Sequence, residues 1–145
     1  MYNPEKNILG SAYSKSFKKL SSFIVIVIFL YVLNFLIRYD VLDYDLDTKI
    51  FFISIFFFIT ISYYSFLKSK VRIDSDGISQ SFFWNRKIFW EDVRSAKIIS
   101  ISLLGFYSQT RLVIRTKLSL ITFNAGTPDL IEEFKKISNY YKIKK

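Results

Sequence analysis

The stretch SSFIVIVIFLYVLNFLI, residues 21–37, carries no charged side chain, and a second such stretch, IFFISIFFFITISYYSFL, covers residues 50–67. As helices they would each be roughly 26 Å long, close to the bilayer's hydrocarbon thickness of about 30 Å. Their β-branched and aromatic residues also suit buried strands. However, a chain of 145 residues has little interior in which to bury two such runs. We therefore predict a transmembrane hairpin over residues 21–67, with helices at 21–37 and 50–67.

The charges around these stretches predict an orientation. The connector RYDVLDYDLDTK, residues 38–49, holds four aspartates against one arginine and one lysine. Basic residues lie at the opposite ends of both stretches: Lys15, Lys18, Lys19, Lys68, Lys70 and Arg72. By the positive-inside rule, the connector is external and both termini are cytoplasmic. The predicted localisation is the cytoplasmic (inner) membrane, with two passes. No small-residue cleavage site follows the first stretch, which argues against a signal peptide.

The N-terminal segment, residues 1–20, is predicted to be cytoplasmic. Leu9, Tyr13 and Phe17 recur at intervals of four, among scattered lysines. This spacing predicts a short amphipathic helix lying on the membrane surface.

Composition narrows the range of functions. The formal net charge of +9 suits nucleic acid, anionic lipid or the inner membrane face. An AT-rich genome would also enrich lysine together with phenylalanine, isoleucine and tyrosine. The chain has no cysteine, which excludes disulfides and thiolate chemistry, and no histidine, the commonest general base and metal ligand.

Residues 68–145 show the pattern of an antiparallel β domain. VRID and ISQSFF flank Ser75-Asp76-Gly77, and Asp-Gly between alternating runs is a strong hairpin signal. We predict six strands, at residues 71–74, 78–83, 87–90, 93–101, 110–116 and 118–124. Residues 102–109 are predicted to form a loop, and the last hairpin turns near Thr116-Lys117.

A helix is predicted over residues 128–143. Thr127 is a good N-cap, Pro128 suits the first helical position, and Asp129 complements the positive end of the helix dipole. An apolar stripe follows at helical spacing: Leu130, Phe134, Ile137 and Tyr141. The predicted fold of residues 68–145 is α+β, a small antiparallel barrel or strongly bent sheet that this helix closes.

One pattern in residues 70–143 resembles a known family. Its elements are Ile73, Asp76-Gly77-Ile78, Ile88-x-Trp90-x-Asp92-Val93, a late hydrophobic hairpin and the C-terminal helix. It is similar to a bacterial pleckstrin-homology (PH)-like domain of the kind that follows a two-helix membrane hairpin. The resemblance covers about half the chain and implies a barrel of about seven strands plus a helix. A seventh strand is then expected near Ile98 to Tyr107.

The aromatic stretch SFFWNRKIFWEDV, residues 81–93, has three interpretations. Strand alternation places Phe82, Trp84, Ile88 and Trp90 on one face, which favours the interior of the barrel. A lipid-contacting edge is the alternative. A nucleic-acid surface is disfavoured, because the acidic pair at positions 91 and 92 would repel phosphates.

PH-like resemblance implies phosphoinositide binding through basic residues flanking the first hairpin turn. Here that turn, residues 74–77, is acidic, so we do not predict a phosphoinositide site in this chain from the resemblance. Nonspecific contact with anionic lipid remains an expectation for six cations: Lys70, Arg72, Arg86, Lys87, Arg115 and Lys117.

No catalytic centre is predicted. The adjacent acids Glu91-Asp92 and Glu132-Glu133 do not resemble an acid/base pair held across a cleft, and the chain has no glycine-rich phosphate loop. We expect no enzymatic activity, cofactor, metal, nucleic acid or small-molecule substrate.

The predicted function is a small integral membrane protein presenting a PH-like interaction or scaffolding module at the cytoplasmic face. Its expected partners are the lipid bilayer and a membrane or cytoplasmic protein, or a second copy of itself. The alternative is an anionic-lipid-sensing PH-like domain.

Overall fold

The computed structural model describes residues 1–39, 43, 45–103 and 107–143. Two long helices are attached to a body made of strands and one further helix. The elements are β1 (Ile8–Ser11), α1 (Lys15–Arg38), α2 (Leu46–Lys68), β2 (Lys70–Ile73), β3 (Gly77–Gln80), β4 (Arg86–Phe89), a 3-10 helix (Trp90–Asp92), β5 (Ser95–Leu103), β6 (Tyr107–Arg115), β7 (Leu120–Ala125) and α3 (Pro128–Ile143).

Helices α1 and α2 contain the two uncharged stretches and extend beyond them. The start of α1 is capped by the Ser14 hydroxyl, which accepts a hydrogen bond from the backbone N–H of Phe17 at 3.2 Å. Neither helix has a buried residue. Both are long and apolar enough to cross a membrane. Residues 40–42 and 44 of the acidic connector lie outside the described residues.

The strands form two antiparallel sheets, a four-stranded one in the order β1-β2-β3-β4 and a three-stranded one in the order β5-β6-β7. The sheets do not close, so the expected barrel is corrected to two separate sheets. The Gln80 side chain links the two sheets, because its Oε1 accepts a hydrogen bond from the Asn124 N–H at 3.1 Å. All six strands predicted in residues 68–145 have counterparts, β2 to β7.

The seventh strand comes from the N-terminal segment, where the predicted amphipathic helix is wrong. Strand β1 pairs with β2, with Ile8 opposite Ile73 and Ser11 opposite Lys70. Gly10 lets this strand pass close to α3, since a Cβ there would lie 2.7 Å from Leu130 Cδ1. Helices α1 and α2 are therefore inserted between two neighbouring strands of one sheet.

The seventh strand does not lie near residues 98–107, where the resemblance placed it. Strand β5 instead continues to Leu103 and β6 begins at Tyr107, so the prediction of a loop at 102–109 is wrong for the described residues of that range, which are all strand. Residues 104–106 lie outside the described part of the chain.

The core of the body lies between the sheets and α3. The predicted apolar stripe of α3 is confirmed, because its four members are all buried: Leu130, Phe134, Ile137 and Tyr141. The Trp90 ring is 1% exposed, and its Nε1–H donates to the Asp74 carbonyl oxygen at 2.8 Å. The N–H group of this buried indole therefore has a hydrogen-bond partner.

The aromatic stretch is divided between two environments. The predicted burial of Ile88 and Trp90 is confirmed, but Trp84 is 76% exposed, so its assignment to the core is wrong. Phe82 is half-buried. Strand β3 ends at Gln80, because the next residue turns its hydroxyl to accept the Lys70 N–H at 3.0 Å. The alternation on which the prediction rested stops there.

Candidate functional site

The helices and the body meet at a compact junction. The Ala12 N–H donates to the Ser69 carbonyl at 3.1 Å, which joins the residues just before α1 and just after α2. Lys18 Nζ donates to the Leu67 carbonyl at 2.8 Å. The Tyr13 ring lies with its centroid 4.1 Å from that of Phe66. The two helices therefore leave the body side by side.

The three-stranded sheet also holds this junction. The Gln109 side chain donates through Nε2 to the carbonyls of Ala12, at 3.0 Å, and Ala125, at 3.1 Å. The Gly126 N–H donates to the Ser11 carbonyl at 2.9 Å. Sequence analysis missed Gln109, since a glutamine in a predicted loop gives no signal of burial.

Polar side chains surround Tyr13 next to the junction. Burial raises the pKa of the Tyr13 hydroxyl, and the positive charges of Arg111 and Arg86 partly oppose this. Asn124 Nδ2 lies 3.5 Å from the Tyr13 hydroxyl. Three buried atoms have no hydrogen-bond partner within the described residues: Gln109 Oε1, Arg111 Nε and Asn124 Oδ1.

The turn between β3 and β4 carries three consecutive aromatic residues, Phe82, Phe83 and Trp84, which we call the aromatic loop. The Phe83 ring lies near-parallel to that of Phe58 in α2, with centroids 6.3 Å apart. Phe58 precedes the last residue of α2, Lys68, by ten positions, or about 15 Å along the helix. The aromatic loop therefore extends beyond the body, alongside α2.

An apolar cavity of about 370 Å³ lies between the two helices and the aromatic loop. Its lining includes Val25 from α1, Ile59 and Phe66 from α2, and Phe82 from the loop. The loop thus contributes to the same apolar surface as the helices.

Three of the six predicted lipid-contacting cations share the outer face of the four-stranded sheet, and we call Lys70, Arg72 and Lys87 the basic face. Arg72 and Lys87 both flank Ser79 in the strand register, while Lys70 lies two residues before Arg72 on the same side of β2. The basic face borders a concavity of about 400 Å³. Arg72 Nε is 3.3 Å from a carboxylate oxygen of Asp74.

The other three cations lie elsewhere. Arg86 is exposed and opposite the buried Gln80, so it belongs to the other side of β4. Arg115 lies six residues beyond Gln109 in β6, about 20 Å farther from the junction. Lys117 is in the turn that follows. The predicted set is therefore not one surface.

The acidic pairs are not arranged for proton transfer between them. Glu133 is buried and accepts a hydrogen bond from the Tyr2 hydroxyl at 2.5 Å, whereas Glu132 is exposed. Burial, and then the hydrogen bond to Glu133, raise the Tyr2 pKa. Glu91 and Asp92 are both exposed in the 3-10 helix. In the described part of the chain, no three acidic residues are grouped so as to hold a metal ion.

Strand β5 forms an edge of the three-stranded sheet and pairs only with β6 among the described strands. Its second half is exposed on both faces: Ile99, at 42%, and Ile101, at 37%, lie on one face, and the exposed Ser100 and Ser102 lie on the other. Ile101 is opposite Gln109, so this half of β5 is the one near the junction. Unpaired backbone beside exposed isoleucines is a surface onto which another strand can add.

No protein-family model, curated protein or solved structure matches this chain.

Proposed function

We propose that this protein is a small, two-pass protein of the cytoplasmic membrane that presents a PH-like interaction module at the cytoplasmic face. The observation that carries the proposal is the insertion of α1 and α2 between the paired strands β1 and β2. No residue of either helix is fully buried within the protein, and most of their large apolar side chains are exposed. Their apolar surface therefore needs another environment, and lipid supplies it.

The attachment of both helices to the body explains how membrane localisation promotes binding to a partner. Because both ends of the helical hairpin are tied to one sheet, the body is held at a set distance and tilt from the helices. Confinement to the membrane plane raises its effective concentration for partners in the same membrane. A flexible tether would leave the body free to rotate away from them.

The PH-like assignment is supported by the strand order. Four consecutive strands form one antiparallel sheet, three form the other, and the last helix packs against the core. This is the number of strands that the resemblance implies. The long insertion after β1 departs from a simple arrangement of a hairpin followed by a domain.

The partner surface that we favour is the free half of β5. A strand from a partner can pair with this edge through its backbone, and the exposed isoleucines then contribute to specificity. Its position near the junction suits a partner that is itself at the membrane. A second copy of this chain meets the same requirements.

The membrane placement is tested by extraction and by topology. We expect the full chain to remain with the membrane pellet after alkaline carbonate washing, because each helix contains an uncharged stretch of 17 or 18 residues, long enough to anchor it in the bilayer. An alkaline phosphatase reporter fused after Lys145 should be inactive, and a fluorescent protein fused at the same point should be bright. Release by carbonate, or an active phosphatase fusion, would contradict the placement.

The partner surface is tested by site-specific photo-crosslinking in intact cells. A photoreactive amino acid that replaces Ile99 is expected to give a discrete adduct, identified by mass spectrometry. The matched control is Leu118, which is 99% exposed in the β6–β7 turn and about 20 Å or more from the junction along β6. An adduct at position 99 alone supports the edge as a docking surface, whether the product is another protein or a second copy. Equal yields at both positions, or none at position 99, would argue against it.

A further inference from the structure

We propose that the aromatic loop enters the same lipid leaflet as the C-terminal part of α2, and that the basic face beside it binds the phosphate of an anionic phospholipid. This inference rests on the proposed function, because it requires α2 to cross the bilayer.

The depth of the loop follows from its contact with α2. Phe83 stacks on Phe58, and residues 58–67 include no charged side chain before Lys68. When α2 spans a bilayer, Phe58 lies below the level of the headgroups. A ring packed against Phe58 lies at that level too, so the β3–β4 turn cannot remain in water.

The composition of the loop suits this environment. Residues 81–85 are uncharged, and the first cation after them is Arg86. Trp84 is 76% exposed and contacts Phe83, with ring centroids 5.9 Å apart. Two neighbouring exposed aromatic rings are unfavourable in water, whereas tryptophan is enriched at the boundary between lipid tails and headgroups.

The cations lie where phosphates would be when the loop is inserted. Lys70 exchanges hydrogen bonds with Ser81, the residue just before the loop: the Ser81 N–H donates to the Lys70 carbonyl at 2.9 Å. Lys87 follows the loop by three residues. Together with Asn85 and Ser79, these two lysines border the concavity of about 400 Å³.

Charge complementarity identifies the occupant. None of the ion pairs found in the described residues involves Lys70 or Lys87. The Lys87 ammonium rests 4.6 Å from the centroid of the Phe89 ring, a contact that leaves its charge uncompensated. The side-chain amide of Asn85 and the hydroxyl of Ser79, which line the same concavity, add further donors for phosphate oxygens. An anionic phospholipid in the leaflet that holds the aromatic loop brings such a phosphate to this position.

Depth is measured by electron paramagnetic resonance on the full chain, in vesicles of phosphatidylcholine and phosphatidylglycerol. Because the chain has no cysteine, Trp84→Cys, Phe58→Cys and Leu118→Cys each give a single nitroxide site. All three side chains are largely exposed in the protein, so labelling leaves the core intact. Accessibility to oxygen, which concentrates in lipid, is compared with accessibility to a water-soluble nickel chelate.

We expect the labels at positions 58 and 84 to be accessible to oxygen and protected from nickel, and the label at 118 to show the opposite. A label at 84 that behaves like the one at 118, while 58 remains in lipid, would overturn the inference and leave the proposed function standing. A label at 58 in water would overturn both.

The phosphate contact is tested by quenching of Trp84 fluorescence with brominated lipids. Brominated phosphatidylglycerol is expected to quench more than brominated phosphatidylcholine at equal mole fraction, since anionic lipid gathers at the basic face. The double variant Lys70→Gln/Lys87→Gln should lose this preference. Each cation removed is expected to lower the affinity for phosphatidylglycerol relative to phosphatidylcholine by about fivefold. The matched control, Arg115→Gln/Lys117→Gln, removes the same charge far from the loop and should keep it.

Equal quenching by the two lipids in the native chain would overturn the phosphate site. An equal loss of the preference for phosphatidylglycerol in the two double variants would overturn it as well, because the preference would then come from net charge. Trp90 contributes a constant background, since it is 1% exposed inside the body.

Discussion

A chain in which Asn-Gly replaces residues 13–68 is expected to fold into a soluble body without the helical hairpin. Strands β1 and β2 are already paired, with Ser11 opposite Lys70, and the Ala12 N–H bonds the Ser69 carbonyl at 3.1 Å. Asn-Gly forms the type I′ turn that joins two strands at such a position. The two sheets, the core and α3 would then be those of the full chain.

Phe83 and Trp84 are replaced by serine in this chain, because Phe83 loses its contact with Phe58 of α2 and Trp84 is already exposed. Trp90 is then the single tryptophan, and its fluorescence reports the core directly. We expect a blue-shifted emission, a monomeric elution volume and one cooperative transition in urea. An aggregated or non-cooperative product would contradict the view that the body is continuous across the insertion.

The matched control is residues 69–145 with the same two serines, which lacks the N-terminal segment. We expect this chain to be unfolded. It loses Tyr2 and Ala12 from the core and the pairing along β2. A fully buried large side chain contributes about 1.5–3 kcal/mol and a typical hydrogen bond about 0.5–1.5 kcal/mol. Such losses are comparable to a total stability of about 5–15 kcal/mol. Equal urea midpoints for the two chains would show that β1 is dispensable.

The elements that sequence analysis predicted correctly are those with local signals. Strands β2 and β3 flank an Asp-Gly turn, and α3 combines Pro128 at its start with an apolar stripe at helical spacing. Each depends on residues only a few positions apart, so one segment of the chain contains the necessary information. The uncharged stretches of α1 and α2 are of the same kind.

Strand β1 could not be predicted, because what stabilises it is distant in the chain. Its four residues pair with β2, which follows the entire helical hairpin. The helical spacing of Leu9, Tyr13 and Phe17 was coincidental: Leu9 is exposed on a strand, Tyr13 packs at the junction and Phe17 belongs to α1. A periodic pattern across three residues is short enough to arise from three separate environments.

The sequence could not predict that Trp84 is exposed or that Lys70, Arg72 and Lys87 share one face, for a related reason. Alternation predicts which residues of a strand share a face, but not the residue at which the strand ends. That end depends on Ser81 bonding Lys70 from another strand. Likewise, the six predicted cations could be sorted into one face and three other positions only when the strand register was available.

Truncation of the two tryptophans of the aromatic stretch is expected to affect stability very differently. Trp90→Ala should destabilise the body by about 3–5 kcal/mol, the usual cost of deleting a buried aromatic side chain. It removes the edge-to-face contact with Tyr2, whose ring centroid is 5.2 Å away, and the indole bond that satisfies the Asp74 carbonyl. A loss of this size approaches the whole stability of a marginal domain.

Trp84→Ala should change the stability of the body by no more than about 0.5 kcal/mol, as for an ordinary surface site. Its ring is 76% exposed and its one described ring contact is with Phe83 in the same loop. The measurement is pulse proteolysis of the full chain in mild detergent across a urea series, which reports the folded fraction of the body while the helices stay in the micelle. We expect a much lower urea midpoint for Trp90→Ala and a native midpoint for Trp84→Ala. If Trp84→Ala also lowers the midpoint, the aromatic loop belongs to the core of the body, and its contact with α2 serves folding rather than lipid.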